Sequence, residues 1–143
     1  MKILAKNRRA GYDYELGDRL MAGLMLSGGE VKSVRAGHVS LKGSYVMTRG
    51  GEAWLHGAHI SPYQNGSDHD PTRPRKLLLH KRQLEQLERN KREGLSVIPT
   101  AIVLEGRFIK LELGIGRGKK RYDKRQAIKA REASRESSRH AKG

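Results

Sequence analysis

The chain contains no cysteine, which excludes disulfides and thiolate metal sites and suits a reducing compartment without requiring one. No apolar run approaches the roughly 18 residues of a membrane span. Met1-Lys2-Ile3-Leu4-Ala5 is too short for the core of a signal peptide. A soluble, cytoplasmic protein is therefore expected. Acidic residues are scarce, 15 Asp and Glu against 30 Lys and Arg in 143 residues, for a formal net charge of +15. A field of that sign favours nucleic acid or an anionic membrane, and the length suits one domain rather than two. Catalytic patterns are also missing. His56 and His59 are three apart and would point to opposite faces of a strand, a poor metal clamp. Gly114 to Lys120 glances at a phosphate loop but has Leu113 where the first glycine belongs and Lys120 where Ser or Thr belongs. No Ser/His/Asp order stands out. Catalytic residues, metal and cofactors are expected to be none.

What is present is charge in an uneven distribution. Residues 117–143 hold 11 Lys and Arg against 3 Asp and Glu, and residues 1–116 hold 19 against 12. The joint is Gly116 to Arg125, in which six of ten residues are basic and one is Tyr122. Beyond it only Ile128 and a few alanines are apolar, too little for an amphipathic membrane helix, so nucleic acid is the preferred partner. The division expected is a folded body over 1–116 and a basic tail over 117–143. The tail is too polar to bury a face when free, although its arginines at 131, 135 and 139 would form a stripe if it became helical on RNA.

Within the body, Lys6-Asn7-Arg8-Arg9 is a first basic cluster. Tyr12 to Leu26 alternates as a half-buried strand, with Gly17-Asp18 as a break. Ser27-Gly28-Gly29-Glu30 reads as a capping box opening a helix over 28–36 that ends at Gly37. Lys32 and Arg35 share a face of that helix. Gly50-Gly51 marks a hairpin between 44–47 and 53–59, on which Trp54, the sole tryptophan, is expected in the core. A long loop over 61–75 ends in Arg73-Pro74-Arg75-Lys76. Leu77 to Asn90 is read as the longest helix, with Leu77, Leu84 and Leu87 on its core face. Three adjacent leucines cannot all face inward from a helix start, so one of Leu77-Leu78-Leu79 should be exposed. A second hairpin turns at Glu105-Gly106 between 95–104 and 107–115. The sum is mainly β with α: a small antiparallel, six-stranded barrel of oligonucleotide-binding (OB-like) type with peripheral helices and a disordered basic tail. A β-sandwich is the structural alternative.

Four ordered stretches carry a closer likeness: Gly29-Glu30-Val31-Lys32-Ser33-Val34-Arg35-Ala36-Gly37, Ile60-Ser61-Pro62-Tyr63, Asp70-Pro71-Thr72-Arg73-Pro74-Arg75-Lys76-Leu77-Leu78-Leu79, and Gly118-Lys119-Lys120-Arg121-Tyr122-Asp123-Lys124-Arg125. Together they resemble the small protein B family, the SsrA-binding proteins of bacterial trans-translation, from about Lys6 to Arg131. The resemblance implies an OB-type barrel that acts as a monomer. It implies binding to the tRNA-like domain of transfer-messenger (SsrA) RNA and delivery of that RNA, with elongation factor Tu, to stalled ribosomes. RNA contacts would come from Asn7 and the exposed Leu78. The basic residues Arg8, Arg9, Lys32, Arg35, Arg73, Arg75 and Lys76 stand as further RNA candidates.

On the same resemblance Gly118, Lys119, Lys120, Arg121, Tyr122, Asp123, Lys124 and Arg125 would enter the decoding centre of the ribosome. Tyr122 would stack on a base, and Asp123 would cap an induced helix. Three residues or stretches depart from the family pattern. Met21 stands where several members carry glutamate, Gly29 replaces a bulkier residue, and the tail end lacks an apolar pair. Two other readings stay open: a structural ribosomal-type rRNA-binding protein, and a nuclease using His69 or Asp70.

Overall fold

The structure, a computed structural model, describes residues 1–62 and 70–119. Among these residues the chain runs β1 (Lys2–Lys6), α1 (Ala10–Asp13), β2 (Tyr14–Leu24), α2 (Gly28–Arg35), β3 (Val39–Ser40), β4 (Tyr45–Arg49), β5 (Glu52–His56), β6 (His59–Ile60), β7 (Arg75–Leu78), α3 (Lys81–Arg92), β8 (Ser96–Glu105) and β9 (Phe108–Gly118). Seven strands form one sheet in the order β1-β8-β9-β2-β7-β5-β4, and β3 pairs with β6 apart from it. Every recorded pairing is antiparallel. The expectation of a mainly β antiparallel body with helices holds, but a closed barrel does not: no ladder joins the edge strands β1 and β4 among the described residues.

Both hairpins follow their turn residues. Gly50 and Gly51 have φ of +60° and +76°, the two positive values that a type I′ turn needs to match strand twist. The β8–β9 hairpin closes between Glu105 and Phe108, with Gly106 at φ +61°. Gly17 and Asp18 do not divide β2. They form a bulge between Leu16 and Arg19 in the pairing with β9, and a bulge absorbs extra residues without ending a strand. Tyr12 belongs to α1 rather than to the strand.

The core gathers inward residues of the large sheet, including Ala22, Leu55, Leu77, Ile102, Leu111 and Leu113, under Val34 of α2 and Leu87 of α3. β8 lies between β1 and β9 and is buried almost throughout, so it reads as a continuous apolar run. Pro99 stands at its register shift, where a residue without an N–H breaks no ladder bond. Trp54 is only half-buried. On β5 the neighbours Ala53 and Leu55 point inward, so strand alternation turns the tryptophan outward, opposite Met47 and Lys76.

The largest difference from expectation lies at 75–80. Leu77 and Leu78 end a strand instead of beginning a helix, and α3 starts at Lys81. In an extended segment successive side chains alternate sides. Leu77 is buried, whereas Leu78 is 49% exposed. The surplus leucine is thus outside, as expected, for a different geometric reason.

Candidate RNA interface

Three expected contributors sit at or beside one bulge. Between Pro99 and Ala101 the β8 register shifts, and the carbonyls of Pro99 and Thr100 both accept from Asn7. The Asn7 backbone N–H donates to Thr100 O at 2.8 Å, and its side-chain Nδ2 donates to Pro99 O at 2.8 Å. Asn7 therefore pins the β1–α1 link, and its amide oxygen is left to meet a partner. Arg8 and Arg9 follow on the exposed link. Arg9 Nε lies 3.5 Å from Asp13 Oδ2, and its guanidinium lies 5.0 Å from the Tyr12 ring centre.

The sheet carries these residues toward a second group. A cleft of about 500 Å³ is lined by Asn7, Arg8, Arg19 and Glu112. Arg19 faces Glu112 at 3.7 Å. Two pairs further along β2 from Arg19, Met21 lies opposite Glu112, and Gly23 lies opposite both Lys110 and Leu78. Met21, Gly23, Lys76, Leu78, Gln83 and Lys110 line a wider cleft of about 740 Å³. Because side chains two apart share a face, Arg19, Met21 and Gly23 form a row that joins the two clefts on one surface. Lys76 holds Glu52 at 3.1 Å. Sequence reading missed Arg19 and Lys110. Their signal is that both are cations on an alternating strand beside inward-facing apolar neighbours.

Arg75 does not reach this surface. It is fully buried, and its guanidinium donates to Glu30 Oε2 at 2.9 Å, Ala58 O at 2.8 Å and Pro71 O at 2.9 Å. An RNA contact by Arg75 is incompatible with that burial, because its donors are spent on groups of its own fold. Glu30 is equally buried. It completes the capping box, since Ser27 N donates to Glu30 Oε1 at 3.0 Å and Glu30 N donates to Ser27 Oγ at 3.3 Å. It also accepts from Arg73 and Arg75. Burial alone would raise its pKa. The Ser27 amide and then the two arginines outweigh burial and hold the carboxyl at about 2. Arg73 is partly exposed and tethered through this carboxylate.

Lys32 and Arg35 project from the exposed side of α2, outside both clefts. Gly118 ends β9 opposite Tyr14. Lys119 is anchored beside α1, with its N–H on Asp13 O at 2.8 Å and its ammonium on Gly11 O at 2.8 Å. The root of the tail thus emerges next to the Asn7–Arg9 link. Gly116 is a packing residue. A Cβ there would lie 2.0 Å from Glu15 O, so the close approach of its backbone is to β2. Lys120, Arg121, Tyr122, Asp123, Lys124 and Arg125 lie outside the described residues, as does His69. Among the described residues no three His, Asp or Glu side chains gather as a metal site would require.

Comparison with known proteins gives this surface a context. The model of the SmpB protein family matches residues 4–143. An SsrA-binding protein of Synechococcus sp. (strain JA-3-3Ab) is 48% identical over 147 residues, covering 100% of this chain and 96% of the relative. One from Lysinibacillus sphaericus (strain C3-41) is 46% identical, covering 96% and 91%. One from Carboxydothermus hydrogenoformans is 46% identical, covering 94% and 93%. A solved tmRNA–SmpB structure, from work on the centre of the bacterial ribosome, superposes with a TM-score of 0.67 at 42% identity, over 86% of this chain and 92% of that one. With a full-length family match and near-complete coverage of relatives close to half identical, the chain belongs to the SmpB family of SsrA-binding proteins.

Proposed function

We infer that the chain is the SsrA-binding adaptor of trans-translation: it binds transfer-messenger RNA and brings it to stalled ribosomes so that incomplete proteins are tagged and the ribosome is released. The observation that carries this is the family match over residues 4–143. The geometry supplies a means. A sheet face joining Asn7 and Arg8 through Arg19 and Met21 to Lys76 and Leu78 pairs cations for phosphates with apolar side chains for an unstacked base. The family is one of RNA-binding proteins rather than enzymes, and the chain is assigned no reaction.

Finer parts of the reading follow from it. The RNA element bound is the tRNA-like domain, gripped by Asn7, Arg8, Arg9, Lys76 and Leu78, with Lys32, Arg35 and Arg73 as outlying phosphate contacts. The curled sheet, with β4 approaching β8, is of the oligonucleotide-binding type with its seam left open. The tail from Lys119 onward enters the decoding centre, where Lys120, Arg121, Lys124 and Arg125 hold 16S rRNA phosphates, Tyr122 stacks and Asp123 caps an induced helix. The protein works in the cytoplasm as a monomer, and it meets elongation factor Tu through the shared RNA. No helix among the described residues is long and apolar enough to cross a membrane.

Sequencing the RNA that copurifies with the tagged chain under stringent salt tests the reading. One tRNA-like, message-bearing RNA is expected. A spread over rRNA in proportion to ribosomes would replace the adaptor with a structural ribosomal-type protein.

A further inference from the structure

Among the described residues the large sheet has two free edges, and the chain brings the segments beside them together. On one side, β1 ends at Lys6 and continues into Asn7-Arg8-Arg9. On the other, β3 ends at Ser40 and the turn through Lys42 leads into edge strand β4. Lys6, Asn7, Arg8, Arg9, Ser40 and Lys42 line a cleft of about 280 Å³ between them, and no Asp or Glu is among its lining residues. A neighbouring cleft of about 300 Å³ continues the seam from Arg9 to Tyr45. Lys6, Arg8 and Lys42 are exposed and make no ion pair with a described residue. Elsewhere on the RNA-facing sheet surface the cations are already partnered: Arg19 with Glu112, Lys76 with Glu52, Lys110 with Glu105.

We propose that this seam is a phosphate-binding groove for the RNA backbone, and that Lys42, on the far side of the seam from Asn7, is one of its contacts. Three cations without an ion-pair partner among the described residues, Lys6, Arg8 and Lys42, converge from two separate chain segments on a concave site beside Arg9, which keeps Asp13 as its counter-charge, and that arrangement fits a polyanion. Like charges gathered there repel, and phosphates relieve the repulsion as they release counterions. The Lys42 backbone N–H is held by Ser40 Oγ at 3.3 Å, which fixes the turn and leaves the side chain to reach across. The groove lies at the edge of the sheet, beyond the Arg8–Leu78 face, so it would extend the RNA footprint around the seam. It would also lend RNA binding a role in bridging edges that hydrogen bonds leave open. The proposal rests on the chain being an SsrA-RNA binder.

The test measures affinity of the full chain for a transcript of the tRNA-like domain across a salt series, in wild type, Lys42→Ala, Lys42→Glu and Lys42→Arg. One lost phosphate contact should flatten the slope of log K against log salt by about 0.7–0.9. Lys42→Ala should weaken binding several-fold at low salt, Lys42→Glu should weaken it further, and Lys42→Arg should retain it. Unchanged affinity and slope in Lys42→Glu would overturn the proposal. Acylation of the unmodified protein gives a second readout independent of any variant: bound RNA should shield Lys42, and equal labelling with and without RNA would also overturn it. If wild type itself fails to bind the transcript, the adaptor reading falls instead, so the two failures are distinguishable.

Discussion

Glu30→Gln removes one charge and almost no volume, so it isolates what the buried carboxylate contributes. The side chain is fully buried and accepts from Ser27 N, Arg73 and both Nε and Nη2 of Arg75. A glutamine can accept at only one end and turns an N–H toward a guanidinium at the other. Arg75 would then be a buried cation without its anion, a defect that costs about 3–5 kcal/mol. The carboxyl's acidity gives a second route to the same quantity. A group held at about 2 rather than near its ordinary 4.5 corresponds to roughly 3 kcal/mol of stability. The folded value lies below the unfolded one. That contribution is therefore complete above about pH 4.5 and is lost as the pH falls toward 2. Urea unfolding followed by Trp54 fluorescence should show Glu30→Gln destabilised by about 3 kcal/mol or more at pH 7, with the gap to wild type narrowing below pH 4.5. A loss under about 1 kcal/mol, or a gap that stays constant into acid, would show that the buried pair is not electrostatically coupled as described.

Gly116→Ala places a Cβ against the backbone carbonyl of Glu15 and should destabilise by at least about 1–3 kcal/mol, read as a lowered urea midpoint. Gly118→Ala, whose Cβ meets only the Tyr14 ring at 4.0 Å, should be nearly silent in the same assay. Leu78→Ala removes an exposed side chain, so it should weaken RNA binding while leaving stability within about 0.5 kcal/mol of wild type. Truncation after Lys119 keeps both of that residue's anchors on α1. It should retain RNA binding and abolish tagging on stalled ribosomes; loss of RNA binding would refute the two-part reading.

Local signals in the sequence were legible where one short pattern decides one structure. The Ser27–Glu30 capping box, the Gly50-Gly51 turn and the hairpin at Glu105-Gly106 all stand where read. That one of Leu77-Leu78-Leu79 would be exposed was also legible, because three consecutive leucines cannot share one face; that it would be Leu78 came from the family resemblance. What escaped was short or non-local. β3 and β6 are two residues each, below any periodicity. β1 carries Ile3, Leu4 and Ala5 in a row, without alternation, and is stabilised by pairing with β8 about a hundred residues away. The start of α3 was displaced because its first turn is marked by His80 and Gln83, with His80 N donating to Gln83 Oε1 at 2.9 Å, instead of by a serine or aspartate. The same distance in sequence hid the seam: nothing local to Lys42 announces Lys6 or Arg8.

Arg75 shows how a charge can serve binding without touching the ligand. In a basic cluster beside a loop it reads as a phosphate contact, yet it is locked inside by Glu30, Ala58 and Pro71. It is also the first residue of β7. In a strand, fixing one side chain inward fixes its neighbours alternately, and a slip of one residue would reverse every face. With Arg75 and Leu77 inward, Lys76 and Leu78 must point out, into the cleft that also holds Met21. Glu30 ties that register to the first turn of α2, so the same carboxylate that caps the helix also sets which leucine RNA would meet. Arg75→Ala should therefore weaken RNA binding through lost stability and a loosened register. Saturating RNA should recover part of the loss by mass action, whereas Leu78→Ala, which lacks the side chain itself, should gain no comparable recovery.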